Sequence, residues 1–387
     1  MIKRDLEPSL LKAAEGFPVV TLTGPRQSGK TTLVKAAFPV HGYCNLEHPE
    51  VRDLAKQDPK GFFSMYPEPL IIDEVQRVPE LLSWIQVKVD ETQQAGSYIL
   101  TGSHQASLHE AISQSLAGRT ALLGLLPFSF SELQPHTDEF DKAEMLHKGF
   151  MPRIYDHGLE PADVYRNYYH TYVERDVLQI IRIKNLTLFE RFVQLLAGRV
   201  GQTVNLNSLS GEVGVSSTTL QEWLSILEAT YLIFRLPPYY QNFGKRLVKS
   251  PKLYFTEPGL AAWILGIGNP SQALRDPLHG SLFENMVVVD ALKQRLHSGS
   301  DPNLYFWRDN NGNEVDLIWD RNRQLVPIEI KSSMTWHQDF PSRLKWMRKT
   351  IPATLPGYVV YAGELSPKTA DYKAMHFSQL NQVFNPN

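Results

Sequence analysis

Apolar and polar positions alternate along the first third of the chain in blocks that predict a parallel sheet. Residues 17–23 are apolar and β-branched, the pattern of a buried strand, and residues 31–38 read as a helix start. Residues 42–46 predict a second strand and residues 49–56 a helix. Residues 69–74 form an apolar strand that ends in two carboxylates, Asp73 and Glu74. Leu81, Leu82, Ile85 and Val89 lie on one helical stripe within residues 78–92, and residues 97–103 give another strand with a polar tip. Strands alternating with helices imply a parallel sheet covered on both faces, with ligands at the carboxyl ends of the strands, where each polar tip falls.

Past residue 126 the pattern changes. Residues 126–133 leave the sheet, residues 135–139 read as a polar loop, and residues 165–183 are aromatic, charged and helical in period. Residues 207–213, a turn at Gly214 and residues 216–227 predict helix, tight turn, helix, with Ser216 or Ser217 as the cap and Leu220, Leu224 and Leu227 buried. Residues 231–236 predict a strand, and a stretch without acids follows that carries Lys245, Arg246, Lys249 and Lys252. This combination resembles a winged helix. Ser217, Thr218 and Gln221 then face outward at the start of a recognition helix, and the four cations suit phosphate contacts. The same module could equally pack against protein. Farther on, Asp316 begins one strand, and Glu329 and Lys331, two residues apart, project from one face of the next. Glu284 falls near the start of an amphipathic helix.

Bulk properties narrow the classes. A length of 387 residues suggests two or three domains, and 42% hydrophobic with 21% charged residues is ordinary for globular protein. The net charge of −2 excludes a global field that would gather nucleic acid, so any such binding needs a local patch. The single cysteine, Cys44, excludes an internal disulfide and a cysteine-based zinc site. The N-terminus lacks the apolar core of a signal peptide and no apolar run is long enough to span a bilayer. The expectation is a soluble cytoplasmic protein with no membrane partner.

The chemistry concentrates in Gly24-Pro25-Arg26-Gln27-Ser28-Gly29-Lys30-Thr31-Thr32, which fits the phosphate-binding pattern G-x-x-x-x-G-K-[ST] between the first strand and its helix. Its backbone N–H groups would wrap phosphates at a helix N-terminus. Lys30 would reach the β- and γ-phosphates and the Thr31 hydroxyl would ligate Mg²⁺. Asp73 would hold the Mg²⁺ shell, and Glu74 would polarise the attacking water as general base. Ser103 is placed to sense the γ-phosphate, with Thr101 and His104 as alternatives. Arg119 reads as an arginine finger, in cis or from a neighbouring copy in a homo-oligomer, or equally as a surface arginine. No Asn-Lys-x-Asp guanine-reading motif occurs, so ATP is the expected nucleotide. In the C-terminal third, Asp316 and Glu329 are hard oxygen ligands suited to a second Mg²⁺ or Mn²⁺, with Lys331 steadying phosphorane charge and Glu284 in support. The plain alternative is a strand pair with charges on its wet face.

Taken together, these motifs resemble a large prokaryotic family of AAA+ type P-loop ATPases with a C-terminal PD-(D/E)xK nuclease-like domain of unknown function. The resemblance covers nearly the whole chain. It rests on residues 24–32, 70–76, 100–103, 116–119, 171–176, 253–260 and 307–331. One departure is Glu257-Pro258, where the family pattern leads one to expect Asp followed by a non-proline. The resemblance implies an α/β chain with an N-terminal P-loop ATPase sheet flanked by helices, a helical and winged-helix middle, and an α/β nuclease-like end. The implied boundaries are an ATPase domain over 1–133, a helical linker over 134–186, a winged-helix-like domain over 187–252 and a nuclease-like domain over 253–387. It also implies ATP binding and hydrolysis. Two functions follow as expectations: an ATPase that cuts or grips DNA, or a nucleotide-dependent switch whose distal domains bind protein without cleavage.

Overall fold

The computed structural model describes residues 2–103, 112, 114–137, 140–171, 185–239, 250–309 and 312–385. These fall into two compact units. One comprises Met1–Phe128 with Ala229–Tyr231 and Arg295–Ser300, and the other comprises Ser129–Glu228, Leu232–Gln294 and Asp301–Asn387.

The first unit contains α1 (Glu7–Gly16), β1 (Val19–Thr23), α2 (Lys30–Ala37), β2 (Gly42–Asn45), α3 (Pro49–Gln57), α4 (Pro59–Met65), β3 (Leu70–Asp73), α5 (Leu81–Thr92), β4 (Tyr98–Gly102) and β5 (Thr120–Gly124). The five strands are all parallel in the order β2-β3-β4-β1-β5. Successive residues of the strands pack to opposite faces. Val19, Leu70, Ile72, Tyr98 and Leu100 join one core with Leu82 and Ile85, while Val20, Leu22, Ile71 and Ile99 join another with Leu10 and Leu33. Both faces are therefore dry, which is why these strands read as continuous apolar runs. The order puts β4 between β1 and β3, so its tip lies between the loop after β1 and the two carboxylates after β3.

The second unit begins with short helices: α6 (Phe130–Leu133), α7 (Lys142–Lys148), α8 (Pro152–His157) and α9 (Pro161–Tyr168). Residues 172–183 of the helical stretch expected over 165–183 lie outside the described residues. Then come α10 (Leu186–Ala197), α11 (Leu206–Val213) and α12 (Ser217–Ala229), followed by the antiparallel pair β6 (Ile233–Leu236) and β7 (Lys252–Phe255). Ser216 caps α12, its Oγ accepting the Thr219 N–H at 3.1 Å. Next are α13 (Pro258–Ile264), α14 (Pro270–Arg275) and α15 (His279–His297). Glu257 caps α13 and also accepts from Phe150 N–H at 2.8 Å and the Tyr165 hydroxyl at 2.9 Å. That buried cap, with Pro258 at the first helical turn, gives Glu257-Pro258 a structural role. The C-terminal sheet holds β8 (Leu304–Arg308), β9 (Glu314–Arg321), β10 (Gln324–Lys331), β11 (Gly357–Tyr361) and β12 (Tyr372–His376), with α16 (Ser342–Thr350) on one face. Its order is β12-β11-β10-β9-β8, antiparallel from β8 to β10 and parallel from β10 to β12.

Candidate functional site

The loop after β1 folds as its glycines require. Gly24 lies at φ +153, and a Cβ there would collide with the Leu125 carbonyl oxygen. Gly29 sits in the left-handed region at φ +92, directly before α2. Arg4 clamps the loop from below: its guanidinium is buried and donates to the carbonyls of Ser28 and Leu126, each at 2.6 Å. This support was missed at the sequence level, because Arg4 lies outside any motif.

Lys30 is buried at the base of the loop. Its Nζ donates to the carbonyls of Gly24 at 2.9 Å and Pro25 at 2.7 Å. Burial lowers its pKa to about 8, against the raising effect of Glu74 and Asp73. The Thr31 hydroxyl donates to Asp73 Oδ2 at 2.8 Å, which joins the loop to the end of β3. Tyr43, on neighbouring β2, donates to the same oxygen at 2.9 Å, and the Thr101 hydroxyl donates to Oδ1. Burial, then Asp73, raises the Tyr43 pKa and keeps it a donor. Arg26 approaches Glu47 at 3.5 Å, Gln27 is exposed, and Thr32 is exposed on the first turn of α2.

Glu74 follows β3 in the left-handed region at φ +59, with its N–H donating to Thr101 Oγ1 at 3.3 Å. Its carboxylate accepts from Ser103 Oγ at 3.2 Å and from Gln76 Nε2, which also donates to Ser103 Oγ at 3.1 Å. Ser103 thus stands at the tip of β4 against Glu74. His104 lies outside the described residues. Tyr43 and Gln76 were not singled out from sequence, and the sheet order is what brings them here.

The donor set fits Mg²⁺ with a nucleoside triphosphate. Thr31 hydroxyl and Asp73 carboxylate are adjacent, the loop presents N–H groups at the start of α2, and the buried Ser28 hydroxyl has no partner among the described residues.

Arg119 corrects the expectation of a finger in cis. It precedes β5, whose Thr120 pairs with Val19 at the start of β1, so it sits at the edge of the sheet opposite the loop. Five residues of strand separate the two edges by roughly 16 Å. There it makes a bidentate, exposed pair with Asp90, at 2.6 and 2.9 Å.

The C-terminal set does assemble, with a difference. Asp316 on β9 accepts the Ile330 N–H at 2.8 Å, and Lys331 Nζ lies 2.7 Å from Glu329 and 3.9 Å from Asp316. Burial and then Asp316 push the Glu329 pKa up to about 8, against Lys331. Glu284 belongs to α15, which is buried along most of its length and is not the amphipathic helix expected. Lys252, expected on a basic surface, is a correction. It is buried on β7, with Nζ 2.8 Å from Glu284 and 2.6 Å from Glu314. Burial lowers its pKa, but Glu284, Asp316 and Glu314 together outweigh this and raise it. The ammonium therefore stays charged and supplies the positive charge these carboxylates need. Among the described residues no group of three or more His, Cys, Asp or Glu side chains is placed to hold a metal ion. Lys245, Arg246 and Lys249 lie outside the described residues. On α12, Thr218 and Gln221 are exposed and Ser217 is half-buried. No helix among the described residues is long and apolar enough to cross a membrane.

Residues 16–134 match the family model of an AAA domain. Residues 139–271 and 279–380 match two domains of unknown function, DUF8612 and DUF4143. An uncharacterized protein of Mycobacterium tuberculosis is 31% identical over 353 residues, covering 90% of this chain and 77% of its own length, and one of Mycobacterium bovis gives the same figures. Among solved structures, a Walker-type ATPase of Pyrococcus abyssi matches 68% of this chain and 96% of its own, at 15% identity and a TM-score of 0.48.

Proposed function

Because the chain belongs to the family of these mycobacterial proteins and carries an AAA-type P-loop ATPase domain, we propose that it hydrolyses ATP at the loop after β1, with Glu74 as general base. The observation that carries this reading is the Thr31–Asp73 hydrogen bond, with Glu74 held beside it. Lys30 leaves the carbonyls of Gly24 and Pro25 for the phosphates, and the loop N–H groups bind the phosphate oxygens. Thr31 and Asp73 would hold a Mg²⁺ ion, which would supply neutralisation of the phosphate charge. Water then attacks the γ-phosphorus, Glu74 takes its proton, and the bond to the β,γ-bridging oxygen breaks to release ADP. The test is nucleotide binding and turnover in two variants. Lys30→Ala abolishes binding, and Glu74→Gln binds ATP but stops hydrolysis. Turnover at the parental rate in Glu74→Gln would remove Glu74 as the base.

We further propose that the protein associates with DNA through α12. Support comes from three helices followed by an antiparallel strand pair and from exposed Thr218 and Gln221 at the start of α12. For the C-terminal domain, the buried Lys252 between Glu284 and Glu314 favours the reading in which it grips a partner without cutting. Linear, circular and single-stranded DNA incubated with Mg²⁺ or Mn²⁺, with and without ATP, decides between the two. The expected result is salt-sensitive DNA binding with no cleavage. Cleavage that disappears in Asp316→Ala would restore the nuclease.

A further inference from the structure

Two features around Glu74 have no part in the scheme above. Its backbone occupies the left-handed region, uncommon for a residue with a side chain and often found where function over-determines the conformation. Its carboxylate is also tied down on one side by Gln76, two residues along the same tight turn. Gln76 orients itself unambiguously, because only its amide N–H₂ end can face a carboxylate. The same Nε2 reaches Ser103 Oγ at 3.1 Å, and Ser103 in turn donates to Glu74 at 3.2 Å. Glu74, Gln76 and Ser103 therefore form a closed triangle. The other end of the amide is left over: Gln76 Oε1 is buried and finds no donor among the described residues. A buried acceptor without a partner is unfavourable, and this one belongs to the amide that touches the carboxylate proposed to take a proton from water.

We infer that Gln76 positions the hydrolytic machinery, its Nε2 fixing the Glu74 carboxylate and its Oε1 accepting the second hydrogen of the attacking water. One water donating to both Glu74 and Gln76 Oε1 has its two hydrogens engaged, which directs a lone pair outward toward the phosphorus. This rests on the reading of Glu74 as the base. Ser103 completes the clamp by linking it to β4, whose place between β1 and β3 puts that strand's tip beside both motifs.

The test compares Gln76→Met, which keeps length and removes the amide, with Gln76→Glu, which puts a second carboxylate beside Glu74. Steady-state turnover, affinity for a non-hydrolysable ATP analogue and the pH profile of kcat are measured. Gln76→Met is expected to keep analogue affinity within about twofold and to lose at least about tenfold in kcat, part of the 10²–10⁴ typical of general-base catalysis. Gln76→Glu is expected to shift the acidic limb of the kcat profile to higher pH, since a like charge disfavours the ionised base. A purely structural role would lower affinity and kcat together. Parental kcat in Gln76→Met, or affinity and kcat falling together, would overturn the inference. If Gln76→Met does not fold, Gln76→Asn, which keeps the amide but shortens its reach, decides by the same split between analogue affinity and kcat. Glu74→Gln in the same assay separates the two claims: an active Glu74→Gln removes the base, whereas an inactive Glu74→Gln beside a fully active Gln76→Met removes only the role of Gln76.

Discussion

Lys30 combines burial with positive charge, and the two oppose each other. Its pKa of about 8, against 10.5 for the free side chain, means that between those values the folded protein holds fewer protons than the unfolded chain. Stability therefore rises with pH across that window, and below about 8 the full cost of burying the charge is present. A triphosphate favours the charged form. At pH 9, nucleotide binding should thus take up close to one proton per site, read by calorimetry in buffers of different ionisation enthalpy. Uptake near zero at that pH would mean the ammonium is charged without the ligand. The place of Lys30 at the loop after β1 was legible from sequence because the phosphate-binding pattern demands particular residue types at fixed spacing. Tyr43 and Gln76 were not. Their hydroxyl and amide gain meaning only from the carboxylates they touch, and no local pattern announces that contact.

At the scale of elements, β1 to β4 were legible from the chain's apolar pattern and so was the turn at Gly214, whereas β5 (Thr120–Gly124) was not read as a strand. The order β2-β3-β4-β1-β5 was not legible, because pairing between parallel strands depends on crossovers that leave no trace in local periodicity. The parallel pairing of β5 with β1 is what separates Arg119 from the phosphate loop, since residues at the two ends of a parallel strand cannot meet. The basic stretch shows the opposite failure. Lys252 sits among cations in sequence, yet β7 pairs with β6 and carries it inward to Glu284 on α15 and Glu314 on β9. Lys252→Met should destabilise the protein by about 3 kcal/mol, near the low end for breaking a buried pair, because both carboxylates remain partly exposed. Thermal or denaturant unfolding measures this. A change under about 0.5 kcal/mol, the scale of a neutral surface substitution, would mean the pair is not maintained in solution.

Over the whole molecule, the two units carry different kinds of chemistry. The first gathers oxygen donors, an ammonium and loop N–H groups around an open loop. The second balances its carboxylates internally with Lys252 and Lys331. With a net charge of −2, long-range attraction to DNA is absent, so binding through α12 would depend on short-range contacts. The Lys252 junction also has a consequence for how the second unit opens. One ammonium holds a strand, a helix and a second strand that are far apart in sequence, so none can loosen without stranding a buried charge. The amide hydrogens of β7 and β9 should therefore exchange with solvent in a single concerted step, as one cooperative block, even though a helix-and-hairpin module and an α/β sheet would be read from sequence as separate domains.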